Sequence, residues 1–310
     1  LKYKLLNNNT VVAEGDFSNI TSNSSTSIYN GTLSNGSVSF TFYLYIDGNE
    51  ENDLSMMGKS LSGNLMVEER NPALDTLNKL NSLNSTIVLA SDTPDFTTVS
   101  GSNGEDSNGN TGLGDGTKGI YATQDDLGTS YYFRGAVDNN YVKFANFYWR
   151  IIRINGDGTI RMIYDSPSEG QRDPTLLVNG SDFTSSRDDN AYVGYMYGTA
   201  GSSTYESTHS NSTNSPVKNV VDQWYDTNIV NTGYEDYVAD AIYCNDRSVY
   251  EGTGIGTTET TYMPGNRLLN STPTLKCANK NDRFTKSTTL GNGKLTKKVG
   301  VVTSDEVMYA

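Results

Sequence analysis

The sequence of 310 residues predicts a mainly β protein whose second domain is α+β. Three observations support this fold class. The chain favours strands and turns, with 21 Tyr and 30 Gly but only 19% charged residues. Apolar and polar residues alternate strictly from Val38 to Ile46, as in a half-buried strand. Two apolar runs flank Asn155–Gly158, and this pattern is typical of a β-hairpin.

The first 70 residues are expected to form an all-β unit. Residues 1–6 and 10–13 predict an opening hairpin around Asn7–Asn9. In the alternating run, period two places five apolar side chains on one buried face: Val38, Phe40, Phe42, Leu44 and Ile46. The run stops at the turn signal Asp47–Gly48, and a further strand is expected over residues 61–67.

Residues 71–118 are expected to connect the two domains. Leucines recur every three residues at 74, 77, 80 and 83, which predicts a short amphipathic helix. The Gly, Asn and Ser run over residues 101–112 predicts a flexible linker. Residues 112–116 superficially resemble a phosphate-binding loop, but they follow no predicted strand and open no helix, so they are interpreted as linker.

Residues 119–310 predict a hairpin-rich sheet with helices packed on it. The apolar runs 141–154 and 159–164 flank the Asn155–Gly158 turn. Ser215 and Pro216 predict the start of a helix, followed by a second short helix over residues 234–242. The apolar face of the first helix is expected to contain Val217, Val220, Val221, Trp224 and Tyr225.

A last helix is expected near the end of the chain. Thr303 and Glu306 have the spacing of a capping box. Because this helix would begin so close to Ala310, we expect the second domain to be truncated at its C-terminus.

Composition also limits the classes of function. The formal net charge of −13 argues against nucleic-acid binding, which needs a basic surface. The sequence has no apolar stretch of about 18 residues, the length that spans a bilayer. One His and two Cys exclude most zinc sites.

Two segments of the first domain resemble a known family. The segment Phe42–Gly48 and the later segment Met56–Gly63 are similar to the C-terminal part of TasA/camelysin-like β-sandwich domains. This resemblance implies a partial β-sandwich on a Gram-positive cell surface, in a family that includes biofilm fibre subunits. On this resemblance, the opening strands of such a sandwich are expected to be missing here.

Five segments of the second domain resemble an uncharacterised domain of Firmicutes cell-surface proteins. They are Asp125–Gly135, Asn139–Val142, Phe147–Gly158, Cys244–Arg247 and Val299–Glu306. Their order also resembles the C-type-lectin-like fold of formylglycine-generating-type domains, which implies a lectin-like architecture. That enzyme family binds copper through a cysteine pair near the domain's C-terminus. Here the pair precedes the last helix, so an enzyme of this type is only a remote alternative.

Cys244 and Cys277 are the two cysteines, 33 positions apart. In an exported protein they are expected to form a disulfide. The alternative is two free thiols in a cytosolic protein.

Three tyrosines, Tyr192, Tyr195 and Tyr197, are the candidate ligand-binding residues. Aromatic rings can stack on sugars, although they can equally be core residues. Trp149 and Trp224 belong to apolar patterns and are expected to lie in the core. His209 lies in a polar segment and is interpreted as a solvated loop residue.

Two acidic loops are candidate Ca²⁺ sites, since Ca²⁺ prefers oxygen ligands at short spacing. The first contains Asp47, Asn49, Glu51 and Asp53. The second contains Asp182, Asp188, Asp189 and Asn190. Neither fits the EF-hand pattern, so solvated turn acids are the alternative, and no other cofactor is indicated.

These observations together predict an extracellular, non-enzymatic cell-surface protein with a structural or adhesive role. Its expected partners are a surface glycan, a surface protein or further copies of itself in a fibre. A lectin-like binding module is the alternative interpretation.

Overall fold

The structure, a computed structural model, describes residues 2–17, 27–29, 31, 39–45, 71–83, 94, 96, 119–135, 137, 140–166, 168, 180–184, 186 and 188–310. The chain divides into two compact units, Leu1–Glu68 and Glu69–Ala310. Antiparallel sheets dominate both units, which confirms the mainly β fold class. The predicted strand at 61–67 and linker at 101–112 lie outside the described residues. The domain limits predicted from the sequence stay a prediction.

The first unit contains a three-stranded antiparallel sheet. Its strands are β1 (Lys2–Asn7), β2 (Thr10–Asp16) and β3 (Phe40–Tyr45), and β1 lies in the middle. Asn8 and Asn9 join β1 to β2 with φ values of 46° and 69°. Two successive positive φ values suit a tight hairpin turn, and asparagine tolerates them better than most residues. The predicted opening hairpin is confirmed.

The expected buried face of β3 is not formed by its described residues. Phe40 and Leu44 are 41% and 47% exposed, and only Phe42 is half-buried, against the ring of Tyr3. The physical reason is that a strand buries one face only where a second layer packs on it, and the described residues place no such layer over Phe40 and Leu44. Val38 and Ile46 lie outside the described residues.

The second unit is built on a five-stranded antiparallel sheet. Its strands are β4 (Gly119–Asp125), β5 (Gly128–Arg134), β6 (Tyr141–Phe144), β7 (Phe147–Ile154) and β8 (Ile160–Ser166). β7 is central because β8 pairs along one edge, while β6 and β5 pair with successive parts of the other. Asn155–Gly158 joins β7 to β8, which confirms the predicted hairpin.

The apolar run 141–154 is two strands rather than one. Ala145 and Asn146 have φ values of 49° and 66° and turn the chain between β6 and β7. Alanine is rare at positive φ, so the residue types gave little signal for this turn.

A helix covers one face of this sheet. Helix α1 (Pro72–Leu83) buries Ala73 and Leu77 against Ile120, Ile151 and other apolar residues of β4, β5 and β7. The predicted helix is confirmed, but its buried side differs, since Leu74 is 37% exposed. A helix completes a turn every 3.6 residues, so residues 73, 77 and 80 lie on one side of it. Residues spaced strictly three apart drift around the helix instead.

Short elements follow the sheet. The strands are β9 (Met196–Tyr197), β10 (Thr213–Asn214), β11 (Tyr243–Cys244), β12 (Val249–Glu251), β13 (Thr261–Tyr262) and β14 (Arg283–Phe284). The helices are α2 (Tyr205–Thr208), α3 (Pro216–Tyr225), α4 (Met263–Asn270) and α5 (Ser304–Tyr309). α5 packs on the face of the sheet opposite α1, where Tyr309 contacts Tyr132.

Two of the three helices predicted within residues 119–310 are confirmed. Ser215 caps α3 by accepting a hydrogen bond from the backbone N–H of Lys218 at 3.2 Å. Thr303 and Glu306 form both hydrogen bonds of a capping box at the start of α5. The helix predicted over residues 234–242 is wrong, because only Glu235–Tyr237 forms one 3₁₀ turn and Val238 is already extended.

None of the helices in the described part of the chain is long and apolar enough to cross a bilayer.

Candidate functional site

A cavity of about 230 Å³ opens in the second unit. Its walls come from the ends of β4 and β7, from β8, from the segment after β11, and from α4 and α5. The disulfide borders it, since Cys244 is one of the lining residues.

An ion cluster around Glu306 forms part of the cavity wall. Its Oε1 accepts from Nη2 of Arg153 at 3.2 Å and lies 3.0 Å from Nε of Arg161. Burial alone raises the pKa of Glu306, but the two arginines and the hydrogen bonds from Thr303 outweigh it and hold the pKa below its usual value. Glu306 is therefore ionised, and it pairs with two arginines that face each other across β7 and β8. A second carboxylate oxygen, Oδ2 of Asp125, lies 4.0 Å from Nη1 of Arg153.

A β-bulge sends Arg153 into this cluster. The pairing of β7 with β8 shifts register between Ile151 and Arg153. Strict alternation would place Arg153 on the same face as Ile151, which is buried under α1. The extra residue in the bulge turns Arg153 to the opposite face, where burial and the charge of Arg161 lower its pKa to about 10.

A second ion cluster ties the helices to the wall. Arg267 on α4 donates from Nε and Nη2 to both oxygens of Asp305, at 2.7 and 2.8 Å, and from Nη1 to Asp246 at 2.8 Å. These paired hydrogen bonds outweigh the effect of burial and raise the pKa of Arg267. The cluster fixes α4, α5 and the segment after β11 relative to one another.

The Cys244–Cys277 disulfide is present, as predicted, with the two Cα atoms 5.7 Å apart. The backbone N–H of Cys277 donates to Oδ2 of Asp126 at 2.9 Å, and Arg283 lies 3.1 Å from the other carboxylate oxygen. Burial raises the pKa of Asp126 despite these contacts. The disulfide and Asp126 together hold residues 275–283 against the sheet.

Four polar side chains at the cavity wall each keep one buried atom without a hydrogen-bond partner among the described residues. These atoms are Nε of Arg153, Oδ1 of Asn155, Nη2 of Arg161 and Nδ2 of Asn245. Such atoms are rare in folded proteins, because leaving one unsatisfied costs about 1–3 kcal/mol. These four buried atoms therefore hold hydrogen-bonding capacity that the described residues do not use.

The three candidate tyrosines do not form an exposed platform. Tyr195 is 2% exposed and packs on Phe284, and Tyr197 is 7% exposed and contacts the ring of Tyr192. Only Tyr192 is half-exposed. Two of the three rings are therefore core residues, and stacking on a sugar needs an accessible ring face. Trp149 and Trp224 are half-buried and contact each other, with ring centroids 6.1 Å apart.

The first candidate Ca²⁺ loop, with Asp47, Asn49, Glu51 and Asp53, lies outside the described residues. In the second, Asp189 accepts hydrogen bonds from the backbone of Ala191 and Gly201, while Asp182 and Asp188 are exposed. No cluster of three or more His, Cys, Asp or Glu side chains suited to a metal ion occurs in the part of the chain that the structure describes.

The interpretation of His209 as a solvated residue is wrong, because its side chain is fully buried. Nε2 lies 3.1 Å from the carbonyl oxygen of Gly254, and the ring packs between Tyr205 and Tyr262. Burial, followed by the positive charge of Arg247, lowers the pKa of His209 to about 4. The polar residues around it gave no sign of this burial, since they form the loops that close over the ring.

We expect His209→Gln to remove part of the acid sensitivity of the fold. Between pH 6.5 and about 4 the unfolded chain binds a proton at His209 and the folded chain does not, so stability falls as the pH falls. The loss reaches at most about 3 kcal/mol at pH 4. Urea unfolding of both proteins at pH 7, 5.5 and 4 measures it. A difference between the two proteins that stays constant with pH would contradict the prediction.

Sequence reasoning missed the arginines and acids of the cavity as a site. A signal was present in β7, where charged Arg153 interrupts an apolar run and therefore needs a buried partner. The partner, Glu306, is 153 positions away, and nothing local to either residue connects them.

Comparisons with protein-family models, curated proteins and solved structures found no significant match for this chain.

Proposed function

We propose that this chain belongs to an extracellular, non-enzymatic surface protein of a Gram-positive bacterium, and that its second unit is an adhesive module. The disulfide supports an oxidising compartment outside the cytosol, where such bonds persist. The resemblance of both domains to Gram-positive surface proteins supports the same location.

The observation that carries the adhesive role is the cavity beside the disulfide. A concave site with fixed polar groups is the usual form of a binding site. Its carboxylates and arginines are held in ion pairs or by backbone hydrogen bonds, as for Glu306 with two arginines and Asp305 with Arg267. Groups locked in this way suit rigid recognition of a ligand better than proton transfer.

The variant Val302→Trp is expected to weaken adhesion roughly tenfold, the factor that corresponds to about 1.4 kcal/mol. Val302 lines the cavity and is 44% exposed, so a large ring there would fill the opening without entering the core. Beads coated with the whole chain would be tested against immobilised cell walls, mucin and matrix proteins.

Val307→Trp is the matched control, because Val307 is 63% exposed on α5 and does not line the cavity. Equal loss in both variants would contradict a role for the cavity, and failure of the parent chain to bind any surface would contradict the adhesive function.

A second candidate function is self-association through the first unit. Phe40, Tyr43 and Leu44 of β3 are exposed, and among the described strands β3 pairs on one side only. A strand edge of this kind with apolar side chains can accept another strand. Electron microscopy of the whole chain tests it, since filaments would support a fibre subunit and monodisperse particles would contradict it.

A further inference from the structure

We propose that the cavity beside the disulfide binds an uncharged sugar ring without a metal ion. This inference rests on the proposed function, because it names the class of ligand that the adhesive module would hold. Four features of the cavity support it: its charge, its hydrogen-bonding groups, its rim and its size.

The charges at the cavity wall nearly cancel. The lining carboxylates are those of Asp125, Asp126, Asp246, Asp305 and Glu306. The lining cations are those of Arg153, Arg161, Arg267 and Lys276. An ionic ligand would have to leave water and find little compensating charge, whereas an uncharged ligand avoids that cost.

Each lining carboxylate already accepts hydrogen bonds from the protein. Asp125, for example, accepts from the backbone N–H of Leu127 at 2.7 Å and of Gly156 at 2.8 Å. Asp126, Asp246, Asp305 and Glu306 are engaged in the same way. The oxygens are therefore committed to protein donors, and a ligand that needs no bridging cation fits this wall.

The unmet polar atoms suit hydroxyl groups. Arg153, Arg161 and Asn245 each keep one unmet N–H donor, and Asn155 keeps an unmet acceptor, among the described residues. A hydroxyl group both donates and accepts, so a ring with several hydroxyls can satisfy both kinds of atom. These atoms are buried behind the cavity surface, so the proposal requires that their side chains turn toward the ligand when it binds.

The rim provides an apolar surface. Phe183 is 47% exposed at the cavity, and Val302 is also exposed. One face of a sugar ring carries C–H groups that can pack on an aromatic ring, while its hydroxyls point sideways. A volume of about 230 Å³ is smaller than the ~300–1,000 Å³ of sites for drug-sized molecules, so the cavity fits one ring.

The test uses methyl glycosides of uncharged hexoses and N-acetylhexosamines, with methyl uronides as the charged comparison, titrated into the whole chain and followed by NMR. We expect saturable binding that persists in EDTA. Phe183→Ala should weaken it by about three- to tenfold, the range that corresponds to loss of one aromatic contact. Tyr250→Ala is the matched control, since Tyr250 is 57% exposed and does not line the cavity.

Three results would overturn the inference: no binding of any methyl glycoside, binding of methyl uronides alone, or loss of binding in EDTA. Equal weakening by Phe183→Ala and Tyr250→Ala would also overturn it. Beads that adhere through a site sensitive to Val302→Trp, combined with no glycoside binding, would reject the sugar and keep the adhesive function. Glycoside binding without bead adhesion would reject the adhesive function and keep the sugar site.

Discussion

Replacing Arg247 with alanine is expected to lower the free energy of unfolding by about 3–5 kcal/mol. Arg247 is 1% exposed and donates to Oδ1 of Asp282 from Nε at 2.9 Å and from Nη2 at 2.6 Å. Nη2 also donates to Asn211, which in turn contacts Asn281. Removing the guanidinium would leave the carboxylate of Asp282, also 1% exposed, buried without its counter-charge.

Urea unfolding measures this effect, and two variants control for it. Lys286→Ala removes the exposed pair with Glu235 and should cost less than about 1 kcal/mol. Replacing Arg247 with Met and Asp282 with Leu together removes both charges, so it should be less destabilising than Arg247→Ala alone. A cost below about 1 kcal/mol for Arg247→Ala would contradict the role of this ion pair.

Replacing both cysteines with alanine is expected to cost about 4 kcal/mol of stability. Cys244 and Cys277 close a loop with a sequence separation of 33, and the chain-entropy model gives this value for a loop of that length. The disulfide also connects β11 to residues 275–283, the segment that Asp126 holds against the sheet. Loss of the disulfide therefore removes one of the constraints on this part of the cavity wall.

Thermal and urea unfolding with and without reductant would measure the contribution of the disulfide. Reductant should destabilise the parent chain to about the level of the double alanine variant, and it should leave that variant unchanged. A parent chain that is insensitive to reductant after complete reduction, confirmed by alkylation of two thiols, would contradict the prediction.

Local patterns were sufficient for the features that depend on neighbouring residues. The caps at Ser215 and at Thr303 with Glu306 were predictable, because a cap is a hydrogen bond between residues three positions apart. The turns at Asn8–Asn9 and Asn155–Gly158 were predictable, because few residue types adopt the backbone angles they need. The disulfide followed from there being two cysteines and from the expected compartment.

Tertiary packing overruled local pattern in several elements. Tyr195 and His209 belong to polar, turn-rich segments, yet both are buried, because residues distant in sequence pack over them: Phe284 over Tyr195, and Gly254 and Tyr262 over His209. The alternating strand β3 predicted a buried face, but burial requires a second layer, and its exposed Phe40 and Leu44 show that alternation alone does not provide one.

The sequence by itself determined the β-rich fold class, the hairpins, the helix caps and the cysteine pair, since each is encoded by residues close together or by composition. Only the tertiary structure decided the cavity. Arg153 reaches it through a bulge in β7, and its partner Glu306 arrives on the last helix. Such a site depends on a register shift and on contacts 153 positions apart, and the free energy of those contacts appears only once the chain is packed.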